Sequence, residues 1–462
     1  MNIDNYKADS PTDTENSKFI HHLKISGKDP KNNHVWYFDD DEGGHLPDIR
    51  ENLETIAHDF MNGNLKKINK LFELLNCPTF QLVDVFFSEA FLSSLTSAFQ
   101  YCLTNKLSHE SYCLICFVNR LLSSESLQDN IIFMESLSSL LIQCIQSKTM
   151  VVESLSLLMH YTKNYDCIHI LINHDLIQTL IYLLKKCPDG IFISITRILK
   201  NILETLPSDE YILFENIFEP YFNQFSQSPN MFLESTMSIV AIALLNHDLY
   251  EKIKGMNIFP KLFSNNAIYR REYATYTFAI YSHIIHWNDI ESLDIPNIFR
   301  TCARLIEIDS LFRYYTDHWP AMCNFFRAAM ESKSELFLRT GLLPVLIKRI
   351  DQMHIIEKYE ILSCISVYVL CESPENIQIL ISNRGFDIII DYMSVTPYPY
   401  ITNMIDAFKK IIELNLIQLD ENLLNIIHQT IENLNSDRVE HYEDDIQKLQ
   451  NILNENDLFL NN

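Results

Sequence analysis

An apolar stripe that recurs every forty-odd residues constrains this chain more than any other feature. Each stripe is an anchor followed by partners at +3, +4 and +7, the spacing of one helical face. Anchors stand at Leu92, Leu137, Ile177, Phe218, Phe259, Phe299, Leu343 and Phe386, separated by 45, 40, 41, 41, 40, 44 and 43 residues. Representative sets are Leu137/Leu140/Leu141/Cys144, Phe218/Tyr221/Phe222/Phe225 and Phe386/Ile389/Ile390/Met393; a weaker ninth begins at Leu423. Thr96 and Asn266 break the pattern in the first and fifth sets. A lone helix cannot hide such a stripe, so each unit must be covered by the next one along.

Two further markers keep the same phase. Asp175, Asn216, Asn257, Asn297 and Gly341 stand two residues before an anchor, and Gly385 stands one before. These residue types tolerate the left-handed conformation that ends a helix. Breakers follow the anchors: Cys187 to Gly190, Ser226 to Pro229 and Thr396 to Pro399. Each unit therefore reads as three helices. A short first helix ends at the Asn, Asp or Gly; Ser373-Pro374-Glu375 starts one with a cap and a first-turn proline. The second carries the stripe. The third follows the corner, as from Ile191 to Leu206 or Met231 to Asn246. Eight glycines in 462 residues suit helices better than sheets or phosphate loops, because the usual share is about 7 %.

The runs from Ser334 to Leu346 and from Glu375 to Phe386 are similar to the first helix of an armadillo repeat entering its second. The resemblance covers roughly residues 55–430. It implies an all-α fold, a right-handed α-α superhelix of eight or nine armadillo-like three-helix repeats, with third helices lining a protein-binding groove. Within that superfamily the opening stretch, Leu75 to Phe80 followed by a repeat from Val83 to Phe99, most resembles importin-α, the nuclear-import adaptor. In that family Trp and Asn four residues apart on third helices hold an extended basic peptide. Carried over, the Asn place falls on Asn119, Asn201 and Asn324, and the Trp place on Ile115, Arg197 and Pro320. Trp319, five residues before Asn324, comes nearest to the missing Trp. The partner-binding residues implied are Asn119, Arg197, Asn201, Trp319 and Asn324.

The remaining expectations come from composition and from motifs that do not occur. Residues 1–50 lack apolar periodicity and contain the acidic run Asp39 to Glu42, so they read as a disordered leader before a solenoid over 51–435. An acidic capping helix and tail follow over 436–462. The net charge of −24 disfavours nucleic acid and anionic membranes and favours a basic protein or peptide. Met1 to Ser17 has no apolar core, and no apolar run reaches about eighteen residues, so neither secretion nor a membrane span is expected. A cytoplasmic or nuclear monomer follows, with its eleven cysteines serving as small core residues. Cys113 and Cys116 have CxxC spacing but lie within a helix, and His283 and His286 make at most half a metal site. No enzymatic activity, cofactor or metal is expected. A binding scaffold is the favoured class, with a divergent nuclear-import cargo adaptor or a regulatory subunit of an enzyme complex as the alternatives.

Overall fold

The computed structural model describes residues 46–75, 84–122, 131–148, 150–185, 187–263, 271–308, 318–397, 399–436 and 442–460. The chain divides into two compact units, residues 1–55 and 56–462. Apart from the helix beginning at Leu46, the expected leader lies outside the described residues. The second unit is an all-α helical-repeat solenoid, with no strand among the described residues.

Every anchor lies on its own second helix. These helices are Glu89–Thr104, Ile131–Gln146, Leu176–Leu184, Glu215–Phe225, Phe259–Phe263, Ile295–Glu307, Leu342–Arg349, Gly385–Met393 and, for Leu423, Glu421–Ser436. Third helices follow each: Ser108–Leu122, Val151–Tyr161, Asp189–Thr205, Pro229–Ala243, Arg271–His286, the start of Trp319–Arg339, Ile355–Cys371, Tyr400–Glu413 and Glu443–Leu460. Each third helix packs on the third helix of the next repeat without a break from first to last. Second helices pack in sequence order from repeat one to four, from six to seven and from eight to nine.

The stripes do what their period requires. All four members are buried in the sets starting at Leu137, Phe218, Phe299 and Phe386, whereas Ile177 and Phe259 are half-buried. Each fully buried side chain of this size contributes about 1.5–3 kcal/mol. The helix Glu443–Leu460 packs on Tyr400–Glu413 and Glu421–Ser436, with Leu449 and Ile452 buried. Among the described residues no single helix is long and apolar enough to cross a membrane.

First helices vary most. Asn164, Asn246 and Ser373 cap those of repeats three, five and eight, each side chain accepting from a backbone N–H three residues on. Repeats four and six have only 3-10 turns there, Ser208–Phe214 and Ile290–Ser292. In repeat seven the first helix continues from the preceding third helix across a break at Lys333.

That variation corrects the helix-ending positions. Asp175, Asn257 and Gly341 have φ of 66°, 52° and 80°, the left-handed conformation expected two residues before an anchor. Asn216 and Asn297 instead lie in the first turn of their second helices, because repeats four and six have no α-helix to end there. Gly385 is also corrected. The left-handed residue of repeat eight is Arg384, at φ 68°, again two before its anchor. Gly385 is needed for space, since a Cβ on it would lie 2.2 Å from Leu380 Cδ1 and 2.5 Å from Cγ.

The two positions should therefore respond oppositely in thermal unfolding. Gly385→Ala should destabilise by about 1–3 kcal/mol through overpacking. Arg384→Gly should stabilise by about 1 kcal/mol, relieving the left-handed strain of a side chain with a Cβ. Equal effects at both positions would refute this division of roles.

Candidate functional site: the third-helix layer

The continuous third-helix layer is the one surface to which almost every repeat contributes alike. Counting Trp319 to Ser332 for repeat six, the third helices of repeats one to eight hold eight basic and eleven acidic residues. That difference of three is a small part of the chain's −24. Most of the acidity thus lies elsewhere, and the layer is of mixed charge.

The five expected binding residues meet different fates. Trp319 is corrected: it is 1 % exposed and belongs to the core with Phe325, Phe326 and Met322. The cause is phase, because a five-residue separation places Trp319 about 140° around the helix from Asn324. Asn324 is exposed, and its Oδ1 accepts from Arg327 Nη2. Arg197 is also exposed. Asn119 is half-buried, with Oδ1 enclosed and accepting no hydrogen bond among the described residues. Asn201 is half-buried, and its Nδ2 donates to Met159 O at 2.8 Å and more weakly to Thr162 Oγ1 at 3.5 Å. The amide N–H groups expected to hold a partner therefore tie repeat three to repeat two.

Asn201 belongs to a recurring device. The last carbonyls of any helix lack intrahelical partners. Here a side chain near the end of the corresponding helix, one repeat later, supplies the donor. Trp287 Nε1 donates to Leu244 O (2.8 Å) and Arg349 Nη2 to Glu307 O (2.6 Å); Gln224 Nε2 makes a related tie past a helix end, to Cys187 O (3.2 Å). Lys410 Nζ donates to Leu370 O (2.9 Å) and Asn433 Nδ2 to Ser394 O (2.7 Å). Asn201→Ala should then cost about 0.5–1.5 kcal/mol in chemical denaturation, the net worth of such a bond. An unchanged midpoint would show that the tie contributes nothing.

Repeats six to eight carry a polar ladder across the layer. Arg327 Nη1 pairs with Glu360 Oε2 at 2.9 Å, and Tyr400 Oη donates to Glu360 Oε1 at 2.7 Å, linking three consecutive third helices. Asn403 Nδ2 donates to Ser363 Oγ at 3.2 Å. The Tyr400 ring stacks on Tyr359 at 5.9 Å between centroids. Burial, and then the bond to Glu360, push the Tyr400 phenol up to about 12, so it stays a donor at neutral pH.

Signals for covalent or metal chemistry are weak. Cys113 is buried in the helix Ser108–Leu122, and burial pushes the Cys116 thiol up to about 11, far from a reactive thiolate. His283 is held below its ordinary value by burial and then by neighbouring His286. No group of three ligating side chains is assembled among the described residues. A cleft of about 630 Å³ at the first repeat is lined by Phe60, Leu65, Asn69, Ser97, Tyr101 and Glu110 among others, without a His or Cys.

No protein-family model matches the chain, and no curated protein matches it. Solved structures do. An engineered protein aligns over 84 % of this chain and 98 % of its own length, with a TM-score of 0.54 and 12 % identity. SYS-1, an armadillo-like protein, aligns over 86 % of this chain and 84 % of its own, with a TM-score of 0.54 and 11 % identity. At such identities the likeness shows the fold alone: an all-α helical-repeat solenoid.

Proposed function

We propose that this protein is a non-enzymatic binding scaffold that holds a segment of a partner protein against its third-helix layer. The observation that carries the reading is the unbroken packing of third helices in sequence order, which gives one long surface assembled from successive repeats. That surface offers exposed polar groups, Arg197 and Asn324, together with exposed apolar ones, Met231 and Ile356. The structural likeness to helical-repeat proteins supports the coarser part, a scaffold. A cytoplasmic or nuclear location accompanies this reading.

Lysine cross-linking of the full chain, captured with its partner at physiological salt, tests it. Cross-links at Lys200 and Lys409 on third helices are expected. Cross-links confined to Lys261 and Lys348 on second helices would sink it.

A narrower reading, a nuclear-import cargo adaptor for a basic peptide, rests on Asn119 and Asn324 standing at the places where importin-α carries Asn. It requires that a basic peptide bind and that Asn324→Ala weaken it roughly tenfold, the loss of about one hydrogen bond. The burial of Trp319 and the engagement of Asn201 weigh against it. The scaffold reading does not depend on either residue.

A further inference from the structure

We infer that the starts of the last three third helices form a docking surface for an extended partner segment carrying two bulky apolar residues and, some residues away, two basic ones. This rests on the third-helix layer being the binding face and names the place on it and the chemistry of its occupant.

Ile355 and Ile356 open the third helix of repeat seven and are 50 % and 64 % exposed. Nothing local calls for them. β-Branched residues are mediocre helix formers, and the capping is done by their neighbours, with Glu357 Oε2 accepting from His354 N at 3.0 Å. One turn further, Tyr359 lies on the same face. Its hydroxyl donates to Val395 O at 3.1 Å, beside a Val395 side chain that is itself 58 % exposed. Its ring stacks on Tyr400, whose hydroxyl is held by Glu360. The patch therefore combines exposed aliphatic side chains with two rings already fixed in place. Fixed aromatic anchors lose little entropy on binding.

The adjoining helix decides the occupant. Glu443–Leu460 opens with Glu443, Asp444 and Asp445. Asp445 is engaged, accepting from Thr402 Oγ1 at 2.7 Å and pairing with Lys448 at 3.2 Å. Thr402 stands two residues after Tyr400, so this acidic turn adjoins the aromatic patch. Glu443 and Asp444 are exposed and have no ion pair among the described residues. Acids in a first turn also favour their own helix, but that does not account for the isoleucines. A basic end on the partner satisfies the two carboxylates. A second copy of a chain with a net charge of −24 does not suit them. From the isoleucines to the acids is two helix-to-helix steps of about 8–10 Å each. An extended chain covers that span in roughly five or six residues, which fixes the spacing of the partner's two halves.

The test uses the full chain and a fluorescein-labelled peptide with two leucines, a flexible spacer of about five residues and two arginines, followed by anisotropy at about 50 and 150 mM salt. The wild type should bind. Ile356→Asp should weaken binding at least about tenfold, and so should Ile355→Ser, neither change touching the core. Glu443→Gln with Asp444→Asn should weaken it several-fold and flatten its salt dependence. Failure of the wild-type chain to bind, or binding unmoved by Ile356→Asp, overturns the proposal. So does a concentration-dependent dimer abolished by Ile356→Asp, which would assign the patch to a second copy. A partner cross-linked to the third helices of repeats three to five, and retained by the patch variants, would end this inference while leaving the scaffold reading intact.

Discussion

Phe299→Ala is expected to remove about 3–5 kcal/mol of stability, and to remove it locally. Phe299 anchors the stripe of repeat six and is fully buried. Its ring meets Phe325 at 5.9 Å and Phe326 at 5.6 Å, both on the third helix of the same repeat, and Phe337 at 5.7 Å on the first helix of repeat seven. Truncation leaves a cavity where three helices from two repeats converge, and the edge-to-face ring contacts are lost with it. In a stack where each repeat touches only its neighbours, the loss should stay near its source. Hydrogen exchange should show weakened protection over Ile295–Glu307, Trp319–Arg339 and Leu342–Arg349 and little change in Asp189–Thr205. Loss of protection spread evenly along the chain would mean that the repeats unfold as a single unit. A stability change below about 1 kcal/mol would mean that the core relaxes into the gap.

The sequence revealed Phe299 through spacing alone, and the same is true of most of the repeat frame. An apolar anchor must return once per repeat to be covered, so its period survives whatever the other residues do. The left-handed corners are legible at Asp175, Asn257 and Gly341, each ending a first α-helix. They were misread at Asn216 and Asn297, where a 3-10 turn replaces that helix, and at Arg384, whose type gives no hint of its conformation. Trp319 was misplaced by one residue of helical phase, enough to turn it into the core. The carbonyl-capping donors are not legible in the sequence, because Asn201, Trp287, Arg349 and Lys410 share a position and not a residue type. Glu360 leaves a signal: a carboxylate immediately before the uncharged run from Ile361 to Cys371 needs a partner. Which partner it finds, 33 residues earlier at Arg327, depends on the pitch of the stack.

That pair gives the second large effect. Glu360 is 5 % exposed, and both of its oxygens are engaged, one by Arg327 and the other by Tyr400. Arg327→Met would leave a buried carboxylate with only a phenol to satisfy it, at a cost of about 3–5 kcal/mol. The lower end is expected, because the Arg327 side chain is itself 21 % exposed and some solvent screening reaches it. Combining Arg327→Met with Glu360→Leu should restore stability to within about 1 kcal/mol of the wild type, since the desolvation cost disappears with both charges. Tyr400→Phe should cost about 1.5–3 kcal/mol, the worth of a hydrogen bond to a charged group. It should also weaken the leucine–arginine peptide, because the ring beneath Tyr359 would no longer be held. Raising salt to about 0.5 M should scarcely change the Arg327–Glu360 coupling, unlike that of the exposed Lys333–Glu291 pair. A double variant as unstable as Arg327→Met alone would show that the arginine acts by packing its stem and not by pairing. The ladder across repeats six to eight would then be a consequence of helix stacking and not one of its causes.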